Sequence, residues 1–148
     1  MAFGHSIKSK SKENKLQTFL PYPSFERTAL CLDPKRLGNQ VYREGKTLVN
    51  VGWPNHPASK MWRGHQRSLC EYCAVLSTAI PNPATSSKWF DYFTELKLKF
   101  PDSGPPKWLG NPEFHAAHRS NLLRKDLMWY RQFGWTEPND LPYIWPRP

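Results

Sequence analysis

Fifteen prolines interrupt this chain of 148 residues and restrict it to short regular elements. Three of these prolines open predicted helices, in the pairs Asp33-Pro34, His56-Pro57 and Asn111-Pro112. Proline is tolerated in the first turn of a helix because the N–H that it lacks would have no partner there. A polar residue just ahead of each proline caps the helix, and in the second case this is either His56 or Asn55. The sequence therefore predicts helices over 34–50, 57–80 and 112–125.

Apolar residues at helical spacing mark the buried faces of these helices, as Leu37, Val41 and Leu48 do in the first. Further helices are predicted over 25–32, with Ser24 as its N-cap, over 87–100 and over 127–133. An extended apolar segment over 16–22 precedes them, and a tail over 137–148, rich in proline and aromatic residues, is expected to pack on the body. The predicted fold is all-α: a single compact domain over 16–148, with five or six helices and an extended N-terminal segment.

The charge of the chain favours a nucleic-acid partner. The net charge is +9 and the aromatic content is 14%. Four lysines and one glutamate lie in residues 1–15, which we expect to form a disordered basic arm, and the remaining domain is still basic. Basic side chains neutralise phosphates and aromatic faces stack on bases, so this composition is typical of nucleic-acid-binding domains.

The cysteines and the hydropathy pattern indicate the compartment. Cys31, Cys70 and Cys73 are an odd number, no signal peptide is recognised, and we interpret them as reduced, buried thiols of a cytoplasmic protein. The spacing of Cys70 and Cys73 also occurs in metal and redox pairs, but the chain has no second pair. No apolar run is long enough for a membrane span, so no membrane partner is predicted.

The helix predicted over 112–125 carries an unusual polar face. His115, His118 and Arg119 lie three and four residues apart and share that face. Such a face is costly to bury, which suggests a pocket for a ligand with oxygen atoms, most simply a phosphate. The alternative is an ordinary basic surface. No carboxylate or cysteine completes a metal site with the two histidines at a standard spacing, so neither a metal nor a cofactor is predicted.

Five segments of the chain resemble a known family. They are QTFLPYP over 17–23, LDPKRLGNQ over 32–40, NHPASKMWRG over 55–64, HRSNLLRKD over 118–126 and DLPYIWP over 140–146. These segments are similar to a branch of the pyrimidine-dimer DNA glycosylase/AP lyase family, the endonuclease V-like excision enzymes, and Trp129-Tyr130 resembles that family's C-terminal Trp-Tyr segment. The resemblance implies an all-α fold that binds and kinks duplex DNA and attacks the deoxyribose of a damaged nucleotide.

The family's nucleophile is the amine of its processed N-terminus, and a glutamate in its first helix supports the reaction. The family's N-terminus aligns near Leu16-Gln17, where we expect no free α-amine because fifteen residues precede it. The glutamate position falls near Lys35 or Arg36, and Glu44 is the nearest acid, about two turns further along the helix. Lys35 is then the candidate imine-forming nucleophile and Glu44 the candidate general base.

The predicted function is excision of a damaged or modified base from duplex DNA, with or without AP lyase activity. The predicted catalytic residues are Lys35, Glu44, His56 and His118. The predicted DNA- and phosphate-binding residues are Arg36, Arg43, Arg63, Arg119, Asn121, Arg124 and Lys125, and the candidate stacking or wedge residues are Trp62, Trp108 and Trp129. Each has a structural alternative, such as a solvated Lys35, an ion pair of Glu44 with Arg43 or Lys46, a capping His56, or tryptophans in the core. The alternative function is a nucleic-acid-binding protein that keeps the fold without the nucleophile.

Overall fold

The computed structural model describes residues 16–147, so the predicted arm over 1–15 lies outside the described residues. All regular elements in the described part are helical, which confirms the all-α class. In chain order they are α1 (Phe25–Cys31), α2 (Pro34–Asn39), a π-helical segment (Gln40–Gly45), α3 (Lys46–Val49), α4 (Pro57–Met61), α5 (Gln66–Ser77), α6 (Pro83–Lys97), α7 (Pro112–Lys125) and α8 (Leu127–Tyr130), which continues as a 3₁₀ turn (Arg131–Phe133).

The three helix starts predicted from proline are confirmed. Asp33, His56 and Asn111 are the N-caps of α2, α4 and α7, and the side chain of each accepts a hydrogen bond from a backbone N–H of the first turn. The cap of α4 is the His56 ring, whose Nδ1 accepts from the Ala58 N–H at 2.9 Å. Local cap chemistry therefore defines where these helices begin.

The single helix predicted over 57–80 is wrong, because α4 and α5 are separated by a turn over 62–65. Gly64 adopts a φ of 84° there, a left-handed conformation that a helix cannot contain. The start predicted for α6 at residue 87 is also wrong, because Asn82 accepts a hydrogen bond from the Thr85 N–H and starts the helix at Pro83. When 34–49 is counted as one helix, the described residues form seven helices, close to the predicted five or six, and the division of 57–80 supplies the additional one.

Helix α5 lies in the middle of the core and packs against α1, the π-helical segment, α3 and α6. The predicted stacking residues Trp62 and Trp108 belong to this core, since they are 1% and 5% exposed and their rings meet edge to face with centroids 4.9 Å apart. Trp129 is half-buried and donates a hydrogen bond to the Cys31 carbonyl at 2.8 Å. Packing within the protein therefore accounts for all three predicted stacking residues.

The predicted extended segment before α1 is confirmed as non-helical, and residues 16–21 are buried. A buried segment outside a helix or sheet needs other partners for its polar backbone groups. Side chains supply them here: Gln40 Oε1 accepts from the Phe19 N–H and His118 Nδ1 accepts from the Leu20 N–H, both at 3.0 Å. The segment thus runs through the interior, held by side chains from distant helices.

The C-terminal tail packs on α7, as predicted. Asn121 Nδ2 donates to the Leu141 carbonyl at 3.1 Å, and Arg124 donates to the Asn139 carbonyl at 2.9 Å. The three cysteines are free and buried, which confirms that prediction. Within residues 16–147, no helix is both long enough and apolar enough to cross a bilayer.

Candidate active site

A cleft of about 530 Å³ lies where the N-terminal segment, α2, the π-helical segment and the end of α7 meet. Five of the predicted site residues line it: Lys35, Arg36, Arg43, Glu44 and Lys125. Its other lining residues are Leu16, Phe19, Asn39, Thr47 and Trp53. Four cationic side chains therefore surround a single carboxyl group, an arrangement that favours an anionic ligand.

The π-helical segment places Glu44 in this cleft. A π turn holds about one residue more than an α turn, so it rotates the side chains that follow by about 100°. Gly45 permits the π turn, because a Cβ atom there would lie 2.2 Å from the Gln40 carbonyl oxygen and 2.6 Å from Cys73 Sγ. The close approach of this glycine to α5 thus helps to set the direction in which Arg43 and Glu44 point.

Gln40 connects Glu44 to the N-terminal segment. Its Nε2 donates to the Gln17 carbonyl at 2.7 Å and also to the Glu44 carboxyl group, while its Oε1 accepts from the Phe19 N–H and from the Tyr72 hydroxyl, the latter at 2.6 Å. With 1% of its surface exposed, Gln40 has its amide satisfied entirely by protein groups. One buried side chain therefore fixes both the carboxyl group and the backbone beside Leu16.

The environment of Glu44 raises the pKa of its carboxyl group from 4.5 to about 7. Burial is the main cause, since a charge is poorly stabilised away from water. The hydrogen bond from Gln40 and the positive charges of Lys125, Arg43 and Arg36 lower the pKa and only partly offset burial. A carboxyl group with this pKa is present in both protonation states near neutrality, which suits general acid–base chemistry.

The cationic side chains of the cleft fall into two groups. Lys35, Arg43 and Lys125 are exposed at its mouth. Arg36 is half-buried and paired with the Asp33 carboxylate at 3.2 Å, and Asp33 in turn accepts a hydrogen bond from the Tyr130 hydroxyl. The exposed group can reach phosphates along a bound strand, whereas Arg36 is held in place by its carboxylate partner.

The polar face of α7 does not line the cleft. The two ring nitrogens that face Leu20 bind its backbone: His115 Nδ1–H donates to the carbonyl at 2.7 Å, and His118 Nδ1 accepts from the N–H. Burial lowers the pKa of both rings, that of His118 to about 3. The structure thus places neutral histidines against a peptide group where the sequence suggested a phosphate.

Arg119 and Asn121 on the same helix also hold terminal segments. Arg119 forms two hydrogen bonds with the Glu137 carboxylate, at 2.9 and 3.0 Å, and donates to the Pro21 carbonyl at 2.8 Å. Arg124 donates to Asn121 as well as to the tail. The acidic partner of Arg119 therefore lies in the C-terminal tail, 18 residues further along the chain.

The other two predicted site residues, His56 and Arg63, also lie away from the lining of the cleft. His56 is buried as the cap of α4, with its ring edge-on to Trp145 at 5.7 Å between centroids. Arg63 is exposed and donates to the Pro54 carbonyl at 2.7 Å. His56 therefore ends the turn that precedes α4, and Arg63, which follows α4, binds back to that turn.

Sequence reasoning missed Gln40 and Trp53. Gln40 lies four residues before Glu44, and this spacing brings two side chains together on a helix, so the pair carried a usable signal. Trp53 lies in a turn next to Pro54 and offers no periodicity from which its position could be predicted.

Residues 16–78 match the family model described as pyrimidine dimer DNA glycosylase. The match spans every lining residue of the cleft except Lys125, and it supports the family assignment drawn from the sequence. No curated protein and no solved structure matches the chain. The matched family acts on DNA, and the cationic cleft is consistent with that substrate. Among residues 16–147, no three His, Cys, Asp or Glu side chains are grouped as a metal site would require.

Proposed function

We propose that this protein is a DNA glycosylase that removes a damaged pyrimidine from duplex DNA in the cleft around Glu44. The observation that carries the proposal is the placement of Glu44: an acid with a pKa of about 7, oriented by a buried amide, inside a cationic cleft within the matched region. Neither phosphate binding alone nor protein stability requires such a carboxyl group.

The exposed cations supply the binding. Lys35, Arg43 and Lys125 contact phosphates on the damaged strand, and each contact releases counterions from the DNA. This places the deoxyribose of the damaged nucleotide at the mouth of the cleft, between the cations and Glu44.

The chemistry requires an amine, and Lys35 is our candidate. Its neutral Nζ attacks C1′, the bond between C1′ and the base breaks, and the base leaves with the electron pair and takes up a proton. The C1′–O4′ bond then opens to give a protonated imine, and O4′ takes up the proton that Nζ loses; removal of a C2′ proton then expels the 3′ phosphate. Glu44 supplies the proton in its acid form and accepts the C2′ proton in its carboxylate form.

Borohydride trapping on duplex DNA with an abasic site tests this assignment. We expect the wild-type protein to form a covalent adduct, Lys35→Ala to lose it, and the matched control Lys125→Ala to keep it with weaker DNA binding. Mass spectrometry of the adduct identifies the amine directly. An adduct that persists in both variants would show that another amine reacts, and release of base without any adduct would mean that water is the nucleophile.

A second candidate is a protein that binds damaged DNA without cutting it. The exposure of Lys35 favours this candidate, because lysine nucleophiles are commonly activated by desolvation. Tight binding to dimer-containing DNA, with neither base release nor trapping under any condition, would establish it.

A further inference from the structure

A strained turn carries an exposed tryptophan to the rim of the cleft. Trp53 lines the cleft and is 46% exposed. Its φ is 55°, and that of Val51, two residues earlier, is 58°. Left-handed conformations are rare for residues with a Cβ and rarer still for a β-branched one, so the fold pays a conformational cost to hold this turn. Strain of this kind concentrates at functional sites.

The backbone around Trp53 is tied down on both sides. The Gly52 N–H donates to the Thr47 carbonyl at 2.8 Å, the Ser59 hydroxyl donates to the Gly52 carbonyl at 3.1 Å, and the His56 N–H donates to the Trp53 carbonyl at 3.0 Å. A Cβ on Gly52 would lie 2.6 Å from Thr47 Cγ2, so the turn also packs closely against the helix that carries the cleft. The indole is therefore presented from a fixed position.

We propose that Trp53 stacks on the DNA base next to the damaged nucleotide while the sugar of that nucleotide lies at the mouth of the cleft. The proposal rests on the proposed function. Trp53 lines the same cleft as Lys35 and Arg43. A strand that these two cations hold through its phosphates would therefore bring its bases within reach of the indole. Stacking on an aromatic side chain is a sequence-tolerant way to hold a displaced strand.

The test compares Trp53→Leu with Trp53→Phe, and uses Phe90→Ala as the control, because Phe90 is similarly exposed at 40% but does not line the cleft. We expect Trp53→Leu to weaken binding to abasic-site DNA by about 5- to 150-fold, the range for loss of one stacked base. Trp53→Phe should recover part of this affinity, and Phe90→Ala should bind like wild type. The slope of log affinity against log salt should not change, because no charge is removed.

A second readout follows the base itself. With 2-aminopurine beside the abasic site, the wild-type complex should be less fluorescent than the Trp53→Leu complex, since stacking on indole quenches this base. Gly52→Ala should give an intermediate signal, because it displaces the turn while retaining the indole.

Equal affinity and equal fluorescence for wild type and Trp53→Leu would overturn the proposal while leaving the glycosylase assignment intact. If the wild-type protein binds DNA but never releases a base, and Trp53→Leu still loses the stacking signal, the role of Trp53 is retained and the catalytic proposal is rejected. If the wild-type protein does not bind abasic-site DNA, both are rejected.

Discussion

Replacing Glu44 by glutamine should make the protein more stable at neutral and alkaline pH. Folding raises the pKa of this carboxyl group from 4.5 to about 7, so the folded protein binds the proton more tightly than the unfolded chain does. Between these two values the folded state holds more protons, and the wild-type stability therefore falls as pH rises. Below about pH 4.5 both states are protonated, and above about pH 7 neither is, so the dependence is confined to that window.

The pKa difference sets an upper limit to the effect. At about 1.4 kcal/mol for each pKa unit, the full change corresponds to about 3.5 kcal/mol of stability lost across the window. The carboxyl group is only partly buried and lines an open cleft, where water screens its charge, so we expect about 1–2 kcal/mol. Glutamine imitates the protonated acid, and its side-chain oxygen can still accept the hydrogen bond from Gln40.

Urea denaturation at a series of pH values measures this difference. The free energy of unfolding of Glu44→Gln should equal that of wild type below about pH 4.5 and exceed it above about pH 7. The same variant should lose base release. Glu137→Gln is the matched control, and its stability should change with pH in the opposite direction. The hydrogen bonds from Arg119 lower the pKa of Glu137, so the stability that this carboxylate contributes is lost as pH falls. If the difference in unfolding free energy between wild type and Glu44→Gln does not vary with pH, the assignment of a partly buried acid with a raised pKa is refuted.

Three further changes test other parts of the structure. Arg43→Ala should reduce the slope of log DNA affinity against log salt by about 0.9, the value for one phosphate contact, as measured by fluorescence anisotropy across a salt series. Gly45→Ala should destabilise the fold by at least about 1–3 kcal/mol in urea, because its Cβ would lie 2.2 Å from the Gln40 carbonyl oxygen. Arg119→Ala should cost about 1.5–3 kcal/mol of stability, because its contacts with Glu137 and Pro21 are lost, and DNA affinity should not change. Lower DNA affinity with unchanged stability would show instead that Arg119 contacts DNA.

The sequence predicted best those features that depend on neighbouring residues. The N-caps of α2, α4 and α7 are set by the cap side chain and the following proline, so their starts could be predicted from a few residues. The end of α4 was missed because Gly64 breaks the helix through its left-handed backbone, while the apolar periodicity continues across it. Periodicity reports which side is buried and does not report whether the backbone is continuous.

The predicted site residues of α7, which do not line the cleft, raise a different question. Guanidinium N–H groups bind peptide oxygens by the same hydrogen bonds with which they bind phosphate oxygens, and a neutral imidazole can instead accept a hydrogen bond from a peptide N–H. His118 and Arg119 were assigned to a phosphate because their partners, Leu20 and Pro21, are both 98 residues away in the chain. Nothing in the local sequence separates the two cases, since only the tertiary fold brings the N-terminal segment against α7.

The residues of α7 nevertheless bear on the cleft, through the segment that they hold. His115 and His118 bind both backbone groups of Leu20, and Gln40 binds the backbone of Gln17 and Phe19. Helix α7 thus fixes the segment near Leu20 and Gln40 fixes it near its start, and its first described residue, Leu16, lies in the wall of the cleft that contains Glu44. Because the few buried residues between these anchors form one continuous stretch of chain, loosening the α7 end should shift the backbone beside Glu44. The polar face of α7 then acts on the site as a positioning element, and its residues would alter activity without touching DNA.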